Sequence, residues 1–354
     1  MTTPRLFRAP GRVNLIGEHT DYNDGLVLPA AVDLECRVLA TPATDGRLTA
    51  RSLNLDREQS WTLDHFDRHG DWSDYVAGVA IELTRLGVRV PAADLEISST
   101  VPMGAGLSSS AALEVSVALA LCALAGAELP RLEIARACHR AENDFVGLQC
   151  GIMDQFISLL ACEDHALRID CRTLDYHPTP LPPGCEIIAM NTGIRHELAA
   201  SEYNLRRQEC QRAEALLGCA LRDATLDQTA TLPDPERRRA RHVITENLRV
   251  EQFIAACASA DLAQAGRLLY DSHASLRDDY QVSCPELDFL VDAAHSTNGV
   301  WGARMMGGGF GGSTINLVEP AAEFRRLATA YHDRFGRDPQ IHHCRTAAGA
   351  GEVV

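Results

Sequence analysis

At 354 residues, with 46% hydrophobic and 23% charged side chains, the chain has the composition of a soluble globular protein and room for about two domains. Its net charge of −15 argues against a nucleic-acid or anionic-membrane surface, both of which demand clustered positive charge. All 33 basic residues are arginine, and the absence of lysine disfavours Walker-type phosphate loops, protein kinases, pyridoxal-phosphate enzymes and Schiff-base aldolases alike.

The opening segment Met1–Arg12 is short, polar and broken by proline, unlike a secretory leader. The longest apolar run, Ala111–Ala127, is interrupted by Glu114 and Ser116 and falls short of a bilayer span. Twelve cysteines are scattered without a C-x-x-C pair, which fits buried thiols in a reducing cytoplasm. A cytoplasmic protein is expected.

In chain order, Pro4–Ala9 reads as a lead-in and Val13, Leu15 and Ile16 as a brief strand ended by Gly17. Glu18, His19, Asp21 and Asn23 then crowd into one turn. Carboxylates accept from hydroxyl groups while imidazole and amide do either, so such a turn matches a polyhydroxylated ligand. Asp24-Gly25 is turn chemistry in its own right, and a plain hairpin turn would explain it, but not the three groups before it. Asp33–Ala50 and Leu53–Leu63 read as further strands and Trp72–Leu86 as an amphipathic helix. His65 and His69, four apart, read as a solvated face.

The centre of the chain is VPMGAGLSSSAAL, Val101–Leu113. A β-prone stretch (Leu95, Ile97, Val101) enters it and an apolar helical run, Ala111–Leu124, leaves it. Small residues and serines, from Gly104 through Ala105, Gly106, Leu107, Ser108 and Ser109 to Ser110, let backbone N–H groups approach an anion, with the serines capping the helix. Alone, the stretch reads equally well as an ordinary capped strand-to-helix turn.

Pro130–Phe145 is predicted as a helix, with Glu142 near its end, where the dipole disfavours an acid. Ile152, Phe156, Leu159 and Leu160 give helical spacing after Gly151, placing Asp154 in a first turn, where dipole stabilisation is its ordinary role. Strands are expected at Ala166–Asp170 and Leu174–His177, a domain junction at Pro178–Gly184, a strand at Glu186–Met190 and a helix at Glu197–Leu217 carrying Tyr203. Helices follow to about Ala294, with Arg237–Arg241 read as solvated surface. In GARMMGGGFGGSTINLV, Gly302–Val318, five glycines around Phe310 suggest backbone passing close to a ligand. A helix at Ala321–Phe335 and a strand near Gln340–Cys344 complete the series.

Three of these stretches together resemble the GHMP small-molecule kinases: Arg12–Pro29 the family's sugar-binding signature, Pro102–Ala112 its phosphate loop and Gly302–Gly312 its third, glycine-rich motif. Cys150–Ser158, Arg195–Tyr203 and Ser275–Asp288 are similar as well. The phosphate loop is shared with mevalonate and homoserine kinases, whereas the first motif selects galactose. The resemblance implies an α+β fold with an N-terminal α+β domain (1–180) and a C-terminal ferredoxin-like α+β domain (181–354), the active site between them. It implies ATP and galactose as small-molecule substrates, a Mg²⁺ ion, and galactose 1-phosphate and ADP as products. By motif position Glu18, His19, Asp21, Gly151, Asp154 and Tyr203 hold the sugar, Gly104–Ser110 cradles ATP, and Ser110 and Glu142 bind Mg²⁺. Arg12 and Asp154 are the pair expected to carry the chemistry. An N-acetylgalactosamine kinase, another kinase of the family, or a galactose- and ATP-binding sensor without turnover are the alternatives; the uninterrupted serine loop with both Arg12 and Asp154 favours an enzyme. The oligomeric state is left open, a monomer included.

Overall fold

The computed structural model describes residues 3–353 apart from 183, 196–198, 321 and 323, and not the side chains of 195, 199 and 200. The first half runs β1 (Arg5–Asn14), β2 (Leu26–Val27), β3 (Pro29–Pro42), β4 (Arg47–Ser52), β5 (Arg57–Thr62), α1 (Ser73–Arg85), β6 (Ala93–Ser99), α2 (Ser109–Ala125), α3 (Arg131–Arg140), α4 (Met153–Leu160), β7 (His165–Asp170) and β8 (Tyr176–Pro180). The second half runs β9 (Glu186–Arg195), α5 (Ala199–Leu217), α6 (Leu226–Thr229), α7 (Glu236–Ala258), α8 (Leu262–Ser275), α9 (Pro285–His295), β10 (Val300–Met306), β11 (Gly311–Val318), α10 (Arg325–Phe335), β12 (Gln340–Cys344) and β13 (Gly351–Val353). Helices and largely antiparallel sheets are mixed, an α+β architecture.

The first sheet is ordered β13-β1-β3-β6-β4-β5, with β4 and β6 as its parallel pair. Helix α2 is apolar on every side, which is stable only when every side is covered. It packs on β1 and β3 and is walled by α1, α3 and α4. The second sheet, β10-β11-β9-β12, is antiparallel throughout and has the ferredoxin-like strand order. Its alternation divides two cores: Ile187, Ala189, Ile315 and Leu317 face the first half, while Ile188, Met190 and Val318 pack with α9 and α10 residues such as Leu290 and Tyr331. A small sheet, β2-β7-β8, lies beside them. β13 pairs with β1 and Thr346 bridges to Val32, so residues 346–353 join the first half of the molecule.

Several elements differ from their sequence-based bounds. The supposed lead-in is the first half of β1, and Pro10 is tolerated there because the register shifts between Pro10 and Arg12, where a missing ladder donor costs nothing. The long strand expected over Asp33–Ala50 breaks in a turn, where Asp45 accepts from the Arg47 amide at 3.1 Å. The helix expected to reach Phe145 widens after α3 into a π-helical turn, Ala141–Val146, closed by Gly147 in the left-handed region. Pro178–Pro180, within the expected junction, ends strand β8. Of the helices expected at Glu197–Leu217 and Ala321–Phe335, residues 197, 198, 321 and 323 lie outside the described residues.

Arg239 corrects the reading of Arg237–Arg241 as solvated. It is 2% exposed, its Nε donating to Glu209 at 2.7 Å, because α7 packs this face on α5. His65 and His69 are exposed, and all twelve cysteines are free thiols.

Candidate active site

Arg12 ends the bulge in β1 and is almost fully buried. Its backbone N–H donates to the Leu107 carbonyl at 3.1 Å, tying the strand to the serine loop. Its guanidinium meets Asp154, in the first turn of α4, through two parallel bonds of 2.8 and 2.9 Å, from Nε to Oδ1 and from Nη2 to Oδ2. Burial works against the charge on Arg12, and the Asp154 and Glu18 carboxylates more than offset it. The Ser108 hydroxyl donates to Asp154 Oδ2 as well. This corrects the expectation that the serines cap α2 through their side chains. Ser108, at the N-cap position, is in the left-handed region and makes no cap bond; its hydroxyl is committed to Asp154.

The loop before α2 lies against the third motif, backbone to backbone. A Cβ on Gly307 would stand 3.0 Å from the Gly106 Cα, and both glycines have positive φ. Close packing within the protein, of Gly307 on the serine loop, Gly309 on Val282 and Gly311 on Ile194, thus accounts for three of the five glycines around Phe310.

The acidic turn is held from behind. Arg304 on β10, fully buried, donates from Nη1 to Glu18 at 2.8 Å and from Nε to the Leu15 carbonyl at 2.9 Å. Glu246 on α7 accepts from the Gly17 and Glu18 amides at 3.0 and 3.2 Å. Burial by itself would raise the Glu246 carboxyl, but Arg249, His242 and Arg304 hold it down at about 2. With these backbone positions fixed, Glu18, His19 and Asp21 face one cavity. His19, in the left-handed region with φ 61°, is neutral: burial, with the charges of His242, Arg206 and Arg304, pushes its imidazole well below the ordinary value.

Asp21 is pushed up to about 7 by burial and by the Asp154 and Glu18 charges. A Cβ at Gly151 would stand 2.2 Å from Asp21 Oδ2, so Gly151 is small because the carboxylate occupies that space. Gly151→Ala is expected to lower kcat/KM for the acceptor by about 10²-fold while leaving the KM of the donor nearly unchanged, measured by initial rates in each substrate. Asp21→Asn tests the other property. Between the ordinary 3.8 and about 7 the folded chain keeps a proton that the unfolded chain has lost, so stability falls as pH rises through that window. The variant should therefore melt higher than the wild type at pH 8 and at nearly the same temperature at pH 4, as read by calorimetry.

The π-helical turn after α3 places Glu142 inward, 2% exposed. Gln155 donates to Glu142 Oε2 at 2.6 Å and to Glu114 Oε2 at 3.0 Å, and the Cys150 thiol donates to Glu142 Oε2 at 3.3 Å. Burial, then the Asp154 charge, raises the Glu142 carboxyl, against hydrogen bonds from groups that include Ser110.

Two cavities meet at the Arg12–Asp154 pair. One, of about 260 Å³, is lined by Glu18, His19, Asp21, Gly151 and Tyr203. The other, a groove of about 900 Å³, runs along Gly104, Gly106 and Ser108–Ser110 to Trp72, Tyr75 and Asn54. Arg12, Gly104, Ser110, Glu142 and Asp154 border both. Of the expected site residues, Ala105 and Leu107 reach neither; their side chains are buried and their carbonyls accept from Ser313 Oγ and the Arg12 amide.

Arg304, Glu246, Gln155 and the outer groove around Trp72 and Asn54 were not singled out in the sequence. Arg304 stands within the glycine-rich motif, yet one arginine among 33 carries no mark of being buried, and Glu246 and Gln155 sit in ordinary helical patterns.

Family models match most of the chain: the galactokinase galactose-binding signature over residues 2–42, the GHMP kinases N terminal domain over 74–161 and the GHMP kinases C terminal over 253–337. The chain is 48% identical to galactokinase of Roseiflexus sp. (strain RS-1), covering 99% of this chain and 93% of that protein. It is 41% identical to galactokinase of Thermotoga maritima, covering 98% and 99%. Among solved structures, Lactococcus lactis galactokinase complexed with galactose superposes with a TM-score of 0.94 at 33% identity, over 99% of this chain and 96% of that one. Methanococcus jannaschii mevalonate kinase shares the fold, with a TM-score of 0.68 at 18% identity over 98% and 99%.

Proposed function

The chain belongs to the GHMP kinases and, within them, to the galactokinases, and from that premise we infer that it transfers the terminal phosphoryl group of ATP to the anomeric hydroxyl of D-galactose. The observation that carries this reading is the meeting of two cavities at one ion pair. The smaller cavity has the size and the acceptor-rich lining for one hexose, and the groove leads from the serine loop to an aromatic side chain, Trp72.

Glu18 and Asp21 accept from sugar hydroxyls, and Tyr203 closes the cavity beside Gly308. The loop Gly104–Ser110 offers backbone N–H groups at the start of α2 to the phosphates, which is how a chain without lysine holds them. Asp154 has three donors on its carboxylate, two on Oδ2 and one on Oδ1. One lone-pair direction on Oδ1 is left, enough for one hydroxyl. There Asp154 orients the anomeric hydroxyl and takes its proton as the oxygen–phosphorus bond forms. Arg12, clamped by the same carboxylate, stabilises charge on the transferring group.

Mg²⁺ suits the donor set of Ser110 and Glu142, a hydroxyl and a carboxylate bordering both cavities, since the ion prefers one or two hard protein oxygens with phosphates and water completing its shell. A buried Glu142 carboxylate, otherwise costly beside Asp154, also favours a cation. When bound there, the ion would neutralise charge on the ATP phosphates.

ADP release with Mg-ATP, measured in parallel on galactose, glucose, N-acetylgalactosamine and mevalonate, tests the assignment. Turnover on galactose well above the other three is expected. Preference for another acceptor would overturn the reading of the acidic turn. Turnover on none, with galactose still protecting the fold against heat, would identify a sensor.

A further inference from the structure

We propose that a one-directional hydrogen-bond chain, Cys210 to Tyr280 to Tyr22 to His19, holds His19 in the tautomer with its proton on Nε2, so that His19 donates to one galactose hydroxyl. The proposal rests on the assignment of the smaller cavity to galactose. The links are 3.1 Å from Cys210 Sγ to the Tyr280 hydroxyl, 2.9 Å from Tyr280 to Tyr22, and 2.7 Å from the Tyr22 hydroxyl to His19 Nδ1. Cys210, Tyr280 and His19 are buried, and Tyr280 is delivered by a second π-helical turn, Leu276–Tyr280. His19 Nε2 makes no hydrogen bond of standard geometry to the described residues, although the Gly308 backbone beside the ring favours a proton on it, and His19 and Gly308 both line the sugar cavity.

Each hydroxyl carries one proton, so the chain has two states in which every phenol proton is shared along it; other arrangements leave a phenol proton without an acceptor in the chain. In the first, Cys210 donates to Tyr280, Tyr280 to Tyr22 and Tyr22 to Nδ1, leaving the ring proton on Nε2. In the second every donor is reversed and the ring proton sits on Nδ1. The first state pairs a phenol, the best neutral donor present, with an imidazole nitrogen, the best neutral acceptor. The second asks a phenol oxygen to accept from the ring and a sulfur, a weak acceptor, to take the last proton. At 2.7 Å the link at the imidazole is shorter than the about 2.9 Å usual for an N–H donor, as fits donation by the Tyr22 hydroxyl. Burial keeps both tyrosines protonated and His19 neutral, so no ionised state competes.

The consequence is a division of labour in recognition. The carboxylates Glu18 and Asp21 only accept when ionised, and His19 supplies the donor that they lack. The hydroxyl that His19 contacts is read at its oxygen, and those that the carboxylates contact are read at their protons. Tyr22 and Tyr280 are positioning residues for this contact.

The direct test is ¹⁵N NMR of the ring nitrogens of His19 in the ligand-free wild-type protein, assigned by loss of the signals in His19→Gln. A proton on Nε2 is expected, and a proton on Nδ1 overturns the proposal. The functional test titrates galactose analogues in which single hydroxyls are replaced by hydrogen or by fluorine, which accepts weakly and never donates. At one position the fluoro sugar should stay within about threefold of galactose where the deoxy sugar binds about five- to tenfold more weakly. Tyr22→Phe should erase that difference and raise the galactose Kd by about five- to tenfold, with the KM for ATP unchanged. Tyr280→Phe, which leaves the Tyr22–His19 bond in place, should do less. Equal losses for fluoro and deoxy sugars at every position would overturn the donor assignment. Failure of galactose itself to bind the wild type would instead remove the assignment of the cavity, with the NMR result still deciding the tautomer.

Discussion

Asp154→Ala is expected to lower kcat by about 10²–10⁴-fold while galactose still binds, its Kd moving by less than about tenfold. The separation follows from the geometry. Glu18 is held by Arg304 and Glu246 and His19 by Tyr22, none of which depends on Asp154. Asp154 instead orders the reacting end: its carboxylate fixes the Arg12 guanidinium and accepts from Ser108. Asp154→Asn divides its two tasks. The amide keeps one oxygen to orient the hydroxyl and loses the capacity to take its proton. A variant within about tenfold of wild-type kcat would mean that orientation is the main contribution; a loss equal to that of Asp154→Ala would mean that proton acceptance and the clamp on Arg12 carry it. Near wild-type turnover in Asp154→Ala, measured alongside galactose binding by calorimetry, would remove Asp154 from the chemistry altogether.

Arg304→Met should destabilise the protein by about 3–5 kcal/mol, because it removes one partner of a buried ion pair and leaves the other, Glu18, uncompensated. Methionine keeps most of the volume, so the loss reports charge and hydrogen bonding rather than a cavity. Arg304 also donates to the carbonyls of Asn14, Leu15 and Met305, so its removal leaves three buried acceptors short of a donor. Urea unfolding measures the stability change, and the galactose KM should rise while the ATP KM holds. The double variant Arg304→Met with Glu18→Gln should recover part of the stability and none of the galactose affinity. Full additivity of the two substitutions would show that the pair does not act as a unit.

The acidic turn, the serine loop and the glycine-rich third motif were legible in the sequence because each is local: small residues, carboxylates and serines within a few positions carry their own chemical meaning. The apolar run of α2 was legible for the same reason, since a helix apolar on all sides has to be covered. Composition alone required phosphate to be held without lysine. What lay beyond reach was every feature made by residues far apart in the chain. Arg12 and Asp154 are separated by 142 positions and Glu18 and Arg304 by 286, and no local pattern marks either pair. The helical pattern alone places Glu142 at an unfavourable helix end, because the widened turn that points it inward is set by packing and not by a sequence period. The glycines of the third motif illustrate the same division. Their number announced a close approach, but only the fold decided that the Gly106 backbone is among the things approached. Local sequence determined which groups exist and roughly which element carries each; the tertiary structure decided which of them share a buried, low-dielectric space, and there position and burial set their charge and their chemistry.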